Sequence, residues 1–127
     1  MGWFRRQFGY SEAARLERAE HYLNIGRFAD ALRELNDISG ETASTLRAEA
    51  SLELLELNLV EAKARYNGGD PQGAQEHIAL AQELGATADQ IKPVRRHINQ
   101  VNQERAVERN KKKEAQKITF SNDPDSI

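Results

Sequence analysis

The sequence contains no cysteine, only three prolines and few aromatic residues: one Trp, three Tyr and four Phe. Without cysteine the chain has no disulfide framework and no thiolate for catalysis or for zinc. No apolar run approaches the roughly 20 residues that a membrane-spanning helix needs. The first ten residues also lack the apolar core of a signal peptide. We therefore expect a cytoplasmic protein.

Residue combinations that carry catalysis are also missing from the sequence. No two of the three histidines, His21, His77 and His97, have the three- or four-residue spacing of a helical metal pair. There is no Gly-rich phosphate loop, hydrolase elbow or dinucleotide-binding fingerprint. We therefore expect no enzymatic activity, no metal and no cofactor, and we expect His77 and His97 to be half-buried packing residues.

The composition indicates one soluble, all-α domain. The chain has 127 residues, 30% of them charged, and strong helix formers occur throughout. Charge is uneven: residues 11–91 contain seven basic and fifteen acidic residues, for a net charge of −8. Residues 92–117 contain nine basic and three acidic residues, for a net charge of +6. The sequence therefore predicts an acidic body followed by a basic final helix.

Apolar periodicity and helix-breaking residues predict five helices. Ser11 is a good N-cap for the first helix, and Asp70 with Pro71 forms an N-cap and first position for the fourth. The predicted bounds are 11–25, 28–38, 42–66 and 71–84, with a fifth helix that starts between Asp89 and Pro93 and reaches Lys117.

The third predicted helix contains neither Gly nor Pro, and apolar residues cover much of its circumference. A helix of this kind packs on two sides, so we expect it to be the centre of the domain. One apolar stripe consists of Ala48, Leu52, Leu55, Leu59, Ala62 and Tyr66, and the other of Leu46, Ala50, Leu54, Leu57 and Ala64.

The fifth predicted helix changes character along its length. Its early part has Ile91, Val94, Ile98 and Val101 at core spacing, whereas from Val107 to Lys117 nearly all residues are polar or charged. We expect that polar end to project into solvent or fray, and we expect residues 118–127 to form an unstructured tail. The predicted division is an aromatic and basic segment (1–10), a helical domain (11–109), and a polar helix end with a flexible tail (110–127).

A short pattern occurs once in each half of the chain. A helical run ends in Asn, Gly breaks it, and Ala follows five residues later in the next helix, around Gly26 and again around Gly69. The spacing resembles the tetratricopeptide repeat, a helix–turn–helix unit of about 34 residues. The alignment pairs Ala19 with Ala62, Ala31 with Ala74, Leu35 with Ile78 and Ile38 with Ala81, and it places Tyr22 on the family's aromatic position.

The sequence departs from the family pattern at several positions. Arg15 and Asn58 stand where the family often has Trp, and the two turns lie 43 residues apart, so the third helix starts early. The resemblance implies two degenerate repeats over residues 11–87, with residues 89–107 as a capping helix. A generic helical bundle is the alternative.

The resemblance implies a groove that holds a peptide or helix of another protein. In this family the first helix of each pair lines such a groove. Asn24 and Asn67 occupy matching positions, where an amide offers both a donor and an acceptor to a peptide backbone, and Lys63 could hold a carboxylate. Alternatively, both Asn residues only end helices before Gly. The implied groove residues are Leu16, Glu20, Leu23, Asn24, Glu56, Leu59, Lys63, Tyr66 and Asn67.

The N-terminal segment contains half of the aromatic residues of the chain. Three interpretations stay open: it covers the edge of the first hairpin, it anchors a partner protein, or it lies at a membrane surface. The residues concerned are Trp3, Phe4, Arg5, Arg6, Phe8 and Tyr10.

Basic residues are dense along the fifth predicted helix. Because no aromatic residues for base stacking lie nearby and the body is acidic, we do not expect nucleic acid as a partner. We expect a non-enzymatic adaptor that binds another protein; the alternative is a homo-oligomer that associates through the third or fifth helix. The basic residues are Arg95, Arg96, Arg105, Arg109, Lys111, Lys112 and Lys113.

Overall fold

The computed structural model describes residues 11–121 and the side chains of residues 11–117. Over this part of the chain it contains five α-helices and no β-strand, which confirms the predicted all-α fold. The helices are α1 (Glu12–Asn24), α2 (Phe28–Leu35), α3 (Glu41–Asn67), α4 (Pro71–Glu83) and α5 (Ala88–Ser121).

Side-chain caps fix the starts of α1 and α4 as the sequence predicts. The Ser11 hydroxyl accepts a hydrogen bond from the backbone N–H of Ala14 at 3.2 Å. The Asp70 carboxylate accepts one from the N–H of Gly73 at 2.9 Å, and Pro71 takes the first helical position. Each cap satisfies an N–H group that has no partner inside its helix.

The turns that join α1 to α2 and α3 to α4 have the same geometry. Gly26 and Gly69 adopt left-handed backbone angles, with φ of 77° and 85°, which glycine reaches without steric cost. Every backbone hydrogen bond of the first turn recurs 43 residues later. In the first turn the N–H groups of Ile25, Gly26 and Arg27 donate, in that order, to the carbonyls of His21, Leu23 and Tyr22. In the second turn the N–H groups of Gly68, Gly69 and Asp70 donate, in the same order, to the carbonyls of Ala64, Tyr66 and Arg65.

Helix α3 is the centre of the fold, as predicted, because it contacts each of the other four helices. The described core contains two clusters that share no residue and to which α3 contributes, and Ala31 and Ala50 are buried outside both. The smaller cluster contains Ala19, Leu35, Ile38 and Ala43, with Leu16 and Leu46 packed against it. The larger contains Leu55, Leu59, Ala62, Tyr66, Ala74, Ile78, Ala81, Ile91, Val94 and Ile98.

Helix α2 is shorter than the sequence predicts, since it ends at Leu35 instead of residue 38. Ile38 is nevertheless buried, at 3% exposure. The Arg47 guanidinium, on α3, donates hydrogen bonds to the carbonyl oxygens of Leu35 (3.2 Å) and Ile38 (2.9 and 3.1 Å). A cationic side chain from the next helix therefore satisfies the free carbonyls at this helix end.

Four residues of the two apolar stripes predicted for α3 are exposed: Ala48, Leu52, Leu57 and Ala64. In the C-terminal half of α3, these side chains are exposed because the neighbouring helix α1 is too short to cover them. Helix α1 has 13 residues, whereas α3 has 27. The two helices run in the same direction, since short turns make each of them antiparallel to α2.

The register between α1 and α3 follows from the smaller cluster, against which Leu16 and Leu46 both pack. From that cluster α1 continues for only eight residues past Leu16, to Asn24, whereas α3 continues for twenty-one residues past Leu46, to Asn67. Past the end of α1, one side of α3 has no neighbouring helix among the described residues. Leu57 and Val60 lie there, with 51% and 65% of their surface exposed.

Helix α5 begins earlier and ends later than the sequence predicts. It starts at Ala88, contains Pro93 and continues through Ser121. The expectation of an unstructured tail from residue 118 is therefore wrong for residues 118–121, which are helical. Residues 122–127 lie outside the described part of the chain.

Candidate functional site

The α1 part of the predicted groove is accessible. Leu16 and Leu23 are half-buried, whereas Glu20 and Asn24 are exposed. Asn24 is the last residue of α1. Its side chain faces solvent where an external partner could reach it.

The α3 part of the predicted groove is largely filled by α5. Leu59 and Tyr66 are buried in the larger cluster, at 9% and 7% exposure. The Tyr66 hydroxyl donates a hydrogen bond to Oδ1 of Asn102, and His97 Nε2 lies 2.7 Å from Oδ1 of Asn67. These side chains therefore find their partners within the chain. Glu56 is exposed and Lys63 is half-buried.

Arg105 of α5 closes the end of α3. One guanidinium nitrogen, Nη2, lies 3.4 Å from the carbonyl oxygen of Tyr66 and 3.3 Å from that of Asn67, and donates to both. The last carbonyls of a helix carry partial negative charge, which a cationic side chain stabilises. The level of Arg105 on α5 therefore coincides with the end of α3.

Both hairpins carry a polar link between their two helices at equivalent positions. In the first, Glu34 of α2 pairs with Arg15 (3.9 Å) and Arg18 (3.3 Å) of α1. In the second, 43 residues later, Nδ1 of His77 lies 2.8 Å from Oδ1 of Asn58. His77 and His97 are both half-buried, as predicted. These contacts assign His77 a structural role within the hairpin.

Sequence reasoning missed a surface on α3 that we call the acidic–apolar stripe. It consists of Glu49, Glu53, Glu56, Leu57 and Val60, all of them exposed. Four of the five step by four, three and four residues, which places them on one helix face. Within the described residues, none of the three carboxylates has a cationic group within ion-pair distance. The carboxylate spacing was the signal in the sequence that pointed to this face.

The stripe holds like charges close together. Glu49 and Glu53 are four residues apart, and Glu53 and Glu56 are three apart. Like charges at these spacings destabilise a helix by a few tenths of a kcal/mol per pair. Exposed apolar side chains beside them add surface that water solvates poorly. The stripe thus combines apolar area with negative charge that no cation of the described part of the chain pairs with.

A second charged surface, which we call the basic end of α5, comprises residues 106–117. It lies past the level of Arg105 and contains five basic and two acidic residues, for a net charge of +3. Val107 is 51% exposed, and the residues from Val107 to Lys117 are all exposed. The sequence predicts a helix end that projects into solvent, and the structure agrees. The basic residues are Arg109, Lys111, Lys112, Lys113 and Lys117.

The other predicted surfaces fall into two groups. Arg95 and Arg96 are exposed on the part of α5 that packs on the body. The predicted N-terminal anchor, Trp3, Phe4, Arg5, Arg6, Phe8 and Tyr10, lies outside the described residues.

Two specific kinds of site are absent from the described residues. They contain no group of three or more His, Asp or Glu side chains placed to hold a metal ion. None of the helices there is both long and apolar enough to cross a bilayer.

Comparisons of the chain with protein families, curated proteins and solved structures gave no match.

Proposed function

We propose that this chain is a non-enzymatic scaffold that binds another protein, built from two hairpins similar to tetratricopeptide repeats (α1–α2 and α3–α4) with α5 as a capping helix. The observation that carries the proposal is the acidic–apolar stripe, which exposes large apolar side chains on the most central helix. A cytoplasmic location stays a prediction.

The equivalence of the two hairpins supports the repeat-like architecture. Ala19 and Ala62 are fully buried at matching positions, as are Ala31 and Ala74. Alanine at such points lets helices approach closely. Together with the matching turns, this burial pattern favours two copies of one unit over an unrelated arrangement of helices.

The chemistry of the stripe supports a protein as the partner. Leu57 and Val60 supply an apolar contact, and the three carboxylates around them supply charge that favours Lys or Arg on the partner. Helical partners commonly dock with an apolar face against such a surface, with charges setting orientation. We therefore expect the partner to present an amphipathic basic segment.

Site-specific photo-crosslinking tests this proposal. A benzophenone side chain at position 60 should form covalent adducts with a partner protein in the native cell. The matched control is position 80, because Leu80 is 44% exposed on α4 and lies outside the stripe. The proposal is supported if adducts form at position 60 and are lost when Glu53 and Glu56 are both replaced by Lys. Equal adducts at both positions, or none at position 60, would contradict it.

Removing residues 1–10 separates the three interpretations of the N-terminal segment. Loss of partner capture with helicity intact would assign the segment to partner binding. Loss of helicity would assign it to the fold. Binding of the full chain, and not the truncated one, to floated anionic vesicles would assign it to a membrane surface.

A further inference from the structure

We infer that the basic end of α5 of one copy docks on the acidic–apolar stripe of a second copy, so that the chain associates head to tail. This inference goes beyond the proposed function, because it names a second copy of the chain as a partner. It rests on two charged surfaces of opposite sign that the fold keeps apart within one molecule.

The two surfaces cannot neutralise each other within one chain. Arg105 marks the level on α5 at which α3 ends, at Asn67. Glu56 lies eleven residues before that level and Lys111 six residues beyond it. Along roughly parallel helices this separation is about 25 Å, whereas the Debye length at physiological salt is about 8 Å. Among the residues that the structure describes, neither surface therefore neutralises the other, and a second molecule can supply the opposite charge.

The two surfaces are complementary in chemistry. The stripe offers three carboxylates within about two helical turns, together with Leu57 and Val60. The basic end of α5 offers Val107, 51% exposed, and Lys111 one turn further on. A helix laid on the stripe would bury apolar area on both sides and relieve the repulsion on each.

The geometry determines the kind of assembly. Because the stripe and the basic end are different surfaces, each copy keeps one of them free after forming a contact through the other. Such a contact is heterologous, and it produces open chains or closed rings, of which a reciprocal two-fold dimer is the smallest. A contact made by one helix end is small, so we expect weak, concentration-dependent association that falls steeply with salt.

Light scattering on the full chain tests the inference first. At low salt the mass should rise with concentration above that of the 14.3 kDa monomer, and about 0.5 M salt should restore the monomer. A monomeric mass over the whole concentration range at low salt would overturn the inference. So would an oligomer that salt leaves unchanged.

Charge reversal then identifies the surfaces. Glu53→Lys with Glu56→Lys reverses the stripe, and Lys111→Glu with Lys112→Glu and Lys113→Glu reverses the basic end. Each variant alone should be monomeric, because like charges then face each other. Mixed in equal amounts, they should associate again, since each reversed surface meets a complementary one.

A matched control carries the same change of net charge elsewhere. Glu76 and Glu83 are exposed on α4, and Glu76→Lys with Glu83→Lys should associate like the native chain. Association by either test variant alone, or none in their mixture, would overturn the inference. The crosslinking test of the proposed function is independent of these association measurements. A chain that stays monomeric can still form adducts between position 60 and a different protein, so failure of this inference leaves the proposed function standing.

Discussion

The guanidinium group of Arg105 lies over the ring of Tyr66, with its Cζ atom 5.5 Å from the ring centroid. The same group donates hydrogen bonds to the last carbonyls of α3, and the Tyr66 hydroxyl donates to Asn102. Two residues of α5 thus hold both the ring and the backbone at the end of α3. This contact defines the level at which α5 leaves the body of the protein.

Replacing Arg105 by Ala should therefore lower the free energy of unfolding by about 1 kcal/mol, from loss of the cation–π contact and of the hydrogen bonds. Tyr66→Phe, which removes only the hydroxyl, should lower it by about 1 kcal/mol as well. Urea unfolding followed by circular dichroism measures both. Arg96→Ala is the control, because Arg96 is exposed on the same helix. An equal loss in that control would contradict the role of Arg105.

The turn between α3 and α4 offers two adjacent glycines that should respond in opposite directions. Gly69 has a φ of 85°, so Gly69→Ala should destabilise the fold by about 1 kcal/mol through backbone strain. Gly68 has a φ of −78°, which alanine adopts readily. Gly68→Ala should therefore stabilise by about 0.5 kcal/mol, because it restricts the unfolded chain. Thermal unfolding of the two variants side by side gives the comparison, and equal shifts would show that backbone strain is not the cause.

A larger side chain at position 74 tests how closely α3 and α4 pack against each other. Ala74 is fully buried, and a leucine there has to push the helices apart. We expect Ala74→Leu to destabilise by about 1–3 kcal/mol. Ala79→Leu on the exposed face of the same helix should change stability by less than about 0.5 kcal/mol. Guanidinium unfolding distinguishes the two, and a tolerated leucine at position 74 would mean that the helices are not closely packed there.

Local chemistry made most of the helix boundaries predictable. Ser11, Asp70 and the glycines act within a few residues of their own position, so their effect can be deduced without knowing the fold. Local chemistry sets the start of α5, five residues upstream of the more conspicuous Pro93, in the same way through a capping box. Thr87 and Gln90 form a reciprocal capping box, with the Thr87 N–H donating to Gln90 Oε1 at 2.8 Å and the Gln90 N–H donating to Thr87 Oγ1 at 3.2 Å.

The surface of α3 could not be predicted from periodicity alone. An apolar stripe shows which residues share a helix face, but it does not show how long the neighbouring helix is. Ala50 is buried and Leu57 is exposed, although both belong to the same predicted stripe. The difference depends on where α1 ends relative to α3, which is a property of the three-dimensional register.

The two clusters should also differ in local stability. Among the described residues the smaller has four buried members and the larger has ten, and local opening costs less where fewer apolar contacts are lost. Backbone amides of α1 and α2 should therefore exchange hydrogen faster than those of α4 and the second half of α3. Native-state hydrogen exchange read residue by residue measures this gradient, and uniform protection from α1 to α4 would contradict it.

The absence of shared residues between the clusters also bears on communication along the chain. The larger cluster around Tyr66 and Ile78 contains no residue of α1 or α2 among the described residues, so opening of these two helices removes no member of it. Energetic coupling between distant sites requires an element with two arrangements that both sites bias, and α3 is a single helix through both clusters. We expect partners at the two ends of this molecule to bind independently. The chain would then hold its partners at a fixed distance without coupling their binding energetically.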